Sequence, residues 1–140
     1  MQIHGSCASR NGHGVLLTGP SGAGKSDLVL RLLARGYDLV ADDRVDVVDG
    51  VACAVPTLAG LLEVRGLGVV RLPYVPQARL ALIVQLAAME PRMPAPRSDP
   101  QLGLPTLRLD ATAASAPERI GLALDCALGL VDQVAGAFAA

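Results

Sequence analysis

Gly19-Pro20-Ser21-Gly22-Ala23-Gly24-Lys25-Ser26 is the most informative segment of the chain. Its spacing is Gly, four residues, then Gly-Lys-Ser, the pattern of a phosphate-binding loop. The run before it, Val15-Leu16-Leu17-Thr18, reads as a buried strand, and residues 27–35 read as a helix. Strand, loop and helix in that order are the setting that gives the motif meaning. Glycines allow successive backbone N–H groups to turn inward around phosphate oxygens. The helix that follows adds the positive end of its dipole at the same point. In such a loop Lys25 reaches the outer phosphates and the Ser26 hydroxyl ligates magnesium. The loop implies nucleoside-triphosphate binding but not the acceptor.

Working outward, the chain of 140 residues has room for one domain. Its apolar fraction is 51% with only 2% aromatic and no Trp, so Leu, Val and Ala must supply the core. A net charge of -1 without a basic cluster argues against nucleic acid or an anionic membrane surface as the main partner. Cys7, Cys53 and Cys126 are odd in number and widely spaced, which disfavours a disulfide framework or a zinc site and suits a reducing, cytoplasmic location. No apolar run approaches the roughly 20 residues of a membrane span, and no secretory signal is visible at the first residues.

Residues 2–8 read as a first strand and Asn11-Gly12 as a hairpin turn that pairs it antiparallel with the strand entering the loop. Leu28, Val29, Leu32 and Leu33 form the core stripe of the helix, and Gly36 suits its left-handed cap. Leu39-Val40-Ala41 ends in Asp42-Asp43; Asp49-Gly50 then marks a second hairpin between 44–48 and 51–55. Arg65-Gly66-Leu67-Gly68 separates two further apolar runs, and 80–86 is a central-strand candidate. Residues 88–105 carry five prolines and read as a long flexible loop. A last strand is expected at 106–109. Ser115, with Glu118 three residues on, predicts a capped final helix whose stripe runs Ile120, Leu124, Ala127, Val131, Val134, Phe138. The fold class expected is α/β: a compact P-loop nucleotide-binding domain with a mixed sheet and a C-terminal helix, spanning 1–140.

Phosphoryl transfer also needs a cation, a carboxylate to orient it, an acceptor for the incoming proton and positive charge on the transferring oxygens. Asp42 and Asp43 are the candidates after a strand, but neighbours on a strand face opposite ways, so one suits a base and the other a structural role. The pair can instead simply open the turn into the next strand. Glu63 can complete a metal site by oxygen ligation or be an ordinary exposed strand carboxylate. Arg92 in the proline-rich loop can clamp phosphate or be solvated, and His4 can assist a proton transfer or be structural.

Three segments in order go beyond a generic nucleotide binder: residues 19–26, then Leu39-Val40-Ala41-Asp42-Asp43-Arg44-Val45, then Leu62-Glu63-Val64-Arg65-Gly66-Leu67-Gly68. With His4-Gly5 ahead of the loop, they resemble the catalytic domain of the HPr kinase/phosphorylase family, well over 2–72 and less well afterwards. Glu63-Val64-Arg65-Gly66-Leu67-Gly68 is the most specific part. The resemblance implies ATP-dependent phosphorylation of a serine on HPr, a small phosphocarrier protein of the sugar phosphotransferase system, and a reverse reaction with inorganic phosphate that releases pyrophosphate. It implies Asp43 as the proton acceptor, Ser26 and Glu63 as Mg2+ ligands, and His4, Lys25 and a loop arginine as catalytic partners. Arg92 aligns best with that arginine, with Arg97 in reserve. It further implies a homo-oligomer, a hexamer in the family.

The chain departs from the family in three ways. It resembles the short form that lacks a separate N-terminal domain. The interval between Asp43 and Glu63 is short. The segment expected to serve the reverse reaction, 107–114, reads Leu-Arg-Leu-Asp-Ala-Thr-Ala-Ala and matches poorly, which favours the kinase direction. Two other readings use the same loop: a small-molecule P-loop kinase with 88–105 as its lid, and a non-catalytic nucleotide sensor.

Overall fold

A computed structural model of the chain describes residues 1–139. The first strand expected from the sequence is two strands, β1 (Gln2–His4) and β2 (Ser6–Arg10), broken at Gly5. The break has a steric cause. Gly5 passes so close to the next strand that a Cβ there would stand 2.6 Å from the Leu17 carbonyl oxygen. Only glycine lets the chain switch partners at this point: β1 pairs with β5 (Arg44–Val48), while β2 pairs with β3 (His13–Thr18) and β4 (Asp38–Ala41). Gly5→Ala is therefore expected to lower stability by about 1–3 kcal/mol, the usual cost of overpacking. Urea denaturation checks this, and an unchanged midpoint would contradict it.

Both predicted hairpins form, and Asn11, Gly12, Asp49 and Gly50 all take the positive φ that such turns need. β5 returns as β6 (Val51–Ala54), and a short 3-10 turn at Pro56–Leu58 leads out of it. The strand expected at 80–86 is present as β9 (Ala78–Leu86) and is central: β3 lies parallel on one edge, and β6 and then β10 (Thr106–Leu109) share the other. The mixed sheet runs β1-β5-β6-β9-β3-β2-β4, with β10 beside β9. A separate two-stranded hairpin, β7 (Leu61–Val64) and β8 (Gly68–Arg71), turns at the segment Arg65-Gly66-Leu67.

Helix α1 (Lys25–Leu33) and helix α2 (Ala116–Ala127) cover one face of the sheet, burying Leu28, Val29, Leu32, Ile120 and Leu124 against Val15, Leu17, Leu82 and Val84. On the other face Cys7, Leu16, Val40, Val45, Val47 and Ile83 form a second cluster. Burial pushes the Cys7 thiol up to about 12, so it behaves as a small apolar group. Cys7, Cys53 and Cys126 are all unpaired. Among the described residues no helix is long and apolar enough to cross a membrane.

The final helix differs from expectation at both ends. Ser115 has φ -88 and ψ 8 and makes no side-chain cap; a turn over 110–116 already carries the chain into helical geometry, and Arg119 Nε donates to the Ser115 hydroxyl at 3.1 Å. Glu118 instead meets Arg35 at 2.7 Å. The apolar stripe stops at Ala127 because Gly129, at φ 75, closes a Schellman cap: its N–H donates to Cys126 O (3.1 Å) and the Leu130 N–H to Asp125 O (2.8 Å). Val134, expected in the stripe, is 94% exposed, while Phe138 returns to the core from an irregular tail.

Candidate active site

The loop that leaves β3 enters α1 two residues earlier than the sequence pattern implied, so Lys25 and Ser26 are its first helical residues. Gly24 takes a left-handed conformation (φ 96, ψ 23), and no side chain caps the helix. The first N–H groups of α1 therefore have no side-chain acceptor, the arrangement that suits a phosphate. Lys25 is 8% exposed, and its ammonium folds back to donate to Gly19 O (2.6 Å) and Pro20 O (3.0 Å). These carbonyl contacts hold the cation at the mouth of the loop. The adjoining cleft has a volume of about 380 Å³ and is bounded by Pro20–Ala23, Leu86–Ala88 and Asp110–Thr112.

The two aspartates at the end of β4 part company. Asp42 is 5% exposed and receives the Ser26 hydroxyl at 2.8 and 3.0 Å, the Ser6 hydroxyl at 2.7 Å and the Glu63 N–H at 3.4 Å. Asp43 has φ 69, a left-handed conformation that Asp tolerates better than most residues, and its side chain is 62% exposed. Its Oδ1 lies 3.8 Å from His4 Nδ1, and its carbonyl accepts the Gly5 N–H at 3.1 Å. The fold thus brings Ser6, Ser26 and the backbone of Glu63 around one carboxylate, Asp42, while Lys25 stays on the loop carbonyls and His4 meets Asp43. The sequence offered Asp42 only as half of a pair with its role open. Ser6 carried no signal at all, being one serine in a strand.

The second wall of the cleft is the segment 110–112. Arg31 of α1 donates to Ala111 O (2.6 Å) and Ala113 O (2.9 Å). Thr112 donates its N–H (2.9 Å) and hydroxyl (2.7 Å) to Asp110, which holds that carboxyl below its ordinary range. Glu90 accepts the Asp110 N–H at 2.9 Å and pairs with Arg119. Burial by itself would push the Glu90 carboxyl up, but these two hydrogen bonds outweigh it and keep it low. The segment 107–114 singled out by the sequence therefore ends against the phosphate loop.

Neither loop arginine lines that cleft. Arg92 sits with Met93 and Pro94 along a groove whose other wall is Leu122, Cys126 and Phe138. Arg97 lines a cavity of about 360 Å³ with Ile3, Thr18 and Gln85, next to the strand that enters the loop.

A triphosphate and a divalent cation fit these residues. The uncapped helix start and Lys25 suit the phosphates. The Ser26 hydroxyl gives its proton to Asp42, which leaves its oxygen lone pairs free for a cation. Among the described residues no cluster of three or more His, Cys, Asp or Glu is present; a magnesium ion held by a few protein oxygens, water and phosphate needs none.

Comparison with known proteins places the site in context. Residues 1–97 match the family model described as HPr Serine kinase C-terminal domain. The HPr kinase/phosphorylase of Lacticaseibacillus casei (strain BL23) is 49% identical over 73 residues, 49% of this chain and 23% of that protein. That of Burkholderia cenocepacia (strain HI2424) is 47% identical over 97 residues, 60% of this chain and 30% of that protein. The solved structure of the Hpr(Ser) kinase/phosphatase from Coxiella burnetii superposes with a TM-score of 0.74 at 25% identity, covering 93% of this chain and 92% of that one. Matches to these and similar curated relatives span 23% to 32% of their length.

Proposed function

The chain belongs to the HPr serine kinase C-terminal domain family, and from that premise we propose that it transfers the γ-phosphoryl of ATP to a serine hydroxyl of HPr in the cytoplasm. The observation that carries this reading is the division of labour between two adjacent aspartates. Asp42 is buried with its oxygens occupied by donors, whereas Asp43 is exposed beside His4 and open to an incoming hydroxyl.

Phosphoryl transfer makes few covalent demands on a protein; positioning and charge do most of the work. The loop N–H groups and the α1 N-terminus hold the phosphate tail. The Lys25 ammonium exchanges its two loop carbonyls for phosphate oxygens. Ser26 and Glu63 would hold Mg2+, Ser26 through the lone pairs that its bond to Asp42 leaves free. Magnesium, when bound, neutralises charge on the phosphate oxygens. Asp43 takes the proton of the serine hydroxyl as its oxygen attacks in line, and returns it to that oxygen in the reverse direction. His4 stands beside Asp43 and orients it. Arg92, or Arg97 from the neighbouring cavity, would supply a further positive charge by movement of the segment 88–105. A homo-oligomer, with one catalytic domain per chain, completes the reading.

Radiolabelled ATP incubated with HPr tests it. Label is expected on HPr and not on an HPr whose acceptor serine is alanine; no label on HPr rejects the function. Added inorganic phosphate then probes the reverse step through label loss and pyrophosphate release. The named relatives favour neither the small-molecule kinase nor the nucleotide sensor.

A further inference from the structure

We propose that Ser6 is a positioning residue for the cation site: its hydroxyl fixes the Asp42 carboxylate so that Asp42 can accept the Ser26 proton and leave the Ser26 oxygen facing the cation. This deepens the proposed function and rests on its cation-binding half.

β2 lies between β3, which carries the phosphate loop, and β4, which ends at Asp42. Ser6 is the first residue of β2, opposite Leu17 of β3, and is fully buried. The β2–β4 register shifts between Cys7 and Ala8. Such irregularities re-aim side chains next to functional sites. The result is that Ser6, 36 positions from Asp42 in sequence, makes the shortest contact to that carboxylate, 2.7 Å. The preceding residue secures the neighbour: the Gly5 N–H donates to Asp43 O. One dipeptide thus holds both aspartates.

Counting donors shows why Ser6 matters. A carboxylate has about four lone-pair sites. Ser26 has one proton, shared between Oδ1 (2.8 Å) and Oδ2 (3.0 Å), and the Glu63 N–H is long at 3.4 Å. Without Ser6, a carboxylate that is 5% exposed keeps only one strong donor, and that donor is the residue it is meant to orient. It is then free to rotate, and Ser26 loses a fixed place for its proton.

A control lies on the same strand. Ser9 is 1% exposed, and its hydroxyl has no hydrogen-bond partner among the described residues. Ser9→Ala deletes a hydroxyl of equal burial that does not touch Asp42. ATP binding is measured by calorimetry across a magnesium titration and again in EDTA. For Ser6→Ala the magnesium concentration at half effect is expected to rise about 10-fold or more, as for loss of other groups that orient metal ligands. ATP affinity in EDTA is expected to stay at the wild-type value, and Ser9→Ala to match wild type throughout. Ser6→Cys, close in size and a weak donor, is expected to fall between Ser and Ala, and it carries the test should Ser6→Ala fail to fold. A wild-type magnesium midpoint in the Ser6 variants, or an equal shift in Ser9→Ala, overturns the assignment. Wild-type protein whose ATP binding ignores magnesium overturns it together with the proposed function. Wild-type protein that needs magnesium but never labels HPr rejects the acceptor alone and leaves Ser6 in place.

Discussion

Asp43→Asn is expected to slow phosphoryl transfer to HPr by about 10²–10⁴-fold, the usual worth of a general base, while ATP affinity and thermal stability stay near wild type. The backbone makes Asn the informative replacement. Asp43 sits at φ 69, and Asn accepts the left-handed region about as well as Asp does. The turn into β5 therefore survives, as does the bond from the Gly5 N–H to the residue 43 carbonyl. Alanine would add backbone strain to the loss of the carboxylate and confuse two effects. The exposed side chain of Asp43 touches no phosphate-loop group, so nucleotide binding has no reason to change. Single-turnover transfer and calorimetry on one preparation check the pair of expectations. Transfer at the wild-type rate would remove Asp43 from the base role.

Lys25→Ala is expected to weaken ATP binding and to cut transfer by about 10²–10³-fold, the scale of losing one preorganised charge at the transferring group. Its effect on folding should be small. The two carbonyls that Lys25 satisfies belong to Gly19 and Pro20, and Pro20 is exposed, so water can replace the ammonium. Deletion also removes a charge from a buried position, which offsets part of any loss. The contrast with Asp43→Asn is diagnostic. One variant should lose binding and transfer together; the other should lose transfer alone. Unimpaired ATP affinity in Lys25→Ala would place the triphosphate somewhere other than this loop.

The elements legible from the chain were those whose cause lies within a few residues. The glycine loop before Lys25-Ser26, the Asn11-Gly12 and Asp49-Gly50 turns, the Leu28/Leu32 stripe and the Gly36 cap each depend on local dihedral preference or a helical period. The final helix shows where local cues compete. Ser115 with Glu118 has the pattern of a capping box, yet Arg119, four residues on in the same helix, takes the hydroxyl, and Arg35 of α1 takes the carboxylate from across the fold. The stripe through Val131 and Val134 was arithmetically regular, but a left-handed glycine at 129 ended the helix before it.

Local residue pattern was enough to say that a glycine-rich loop opens the first helix of an α/β domain and that two carboxylates follow the next strand. The folded chain alone reveals which aspartate is buried behind Ser26 and which is exposed, that the Ser6 hydroxyl bonds the first, and that neither Arg92 nor Arg97 lines the cleft beside the glycine loop. The physical reason is range. Turn and helix signals act over a few residues, whereas the register of β2 against β4, shifted at Cys7/Ala8, joins groups 36 positions apart, and no local pattern encodes where they meet.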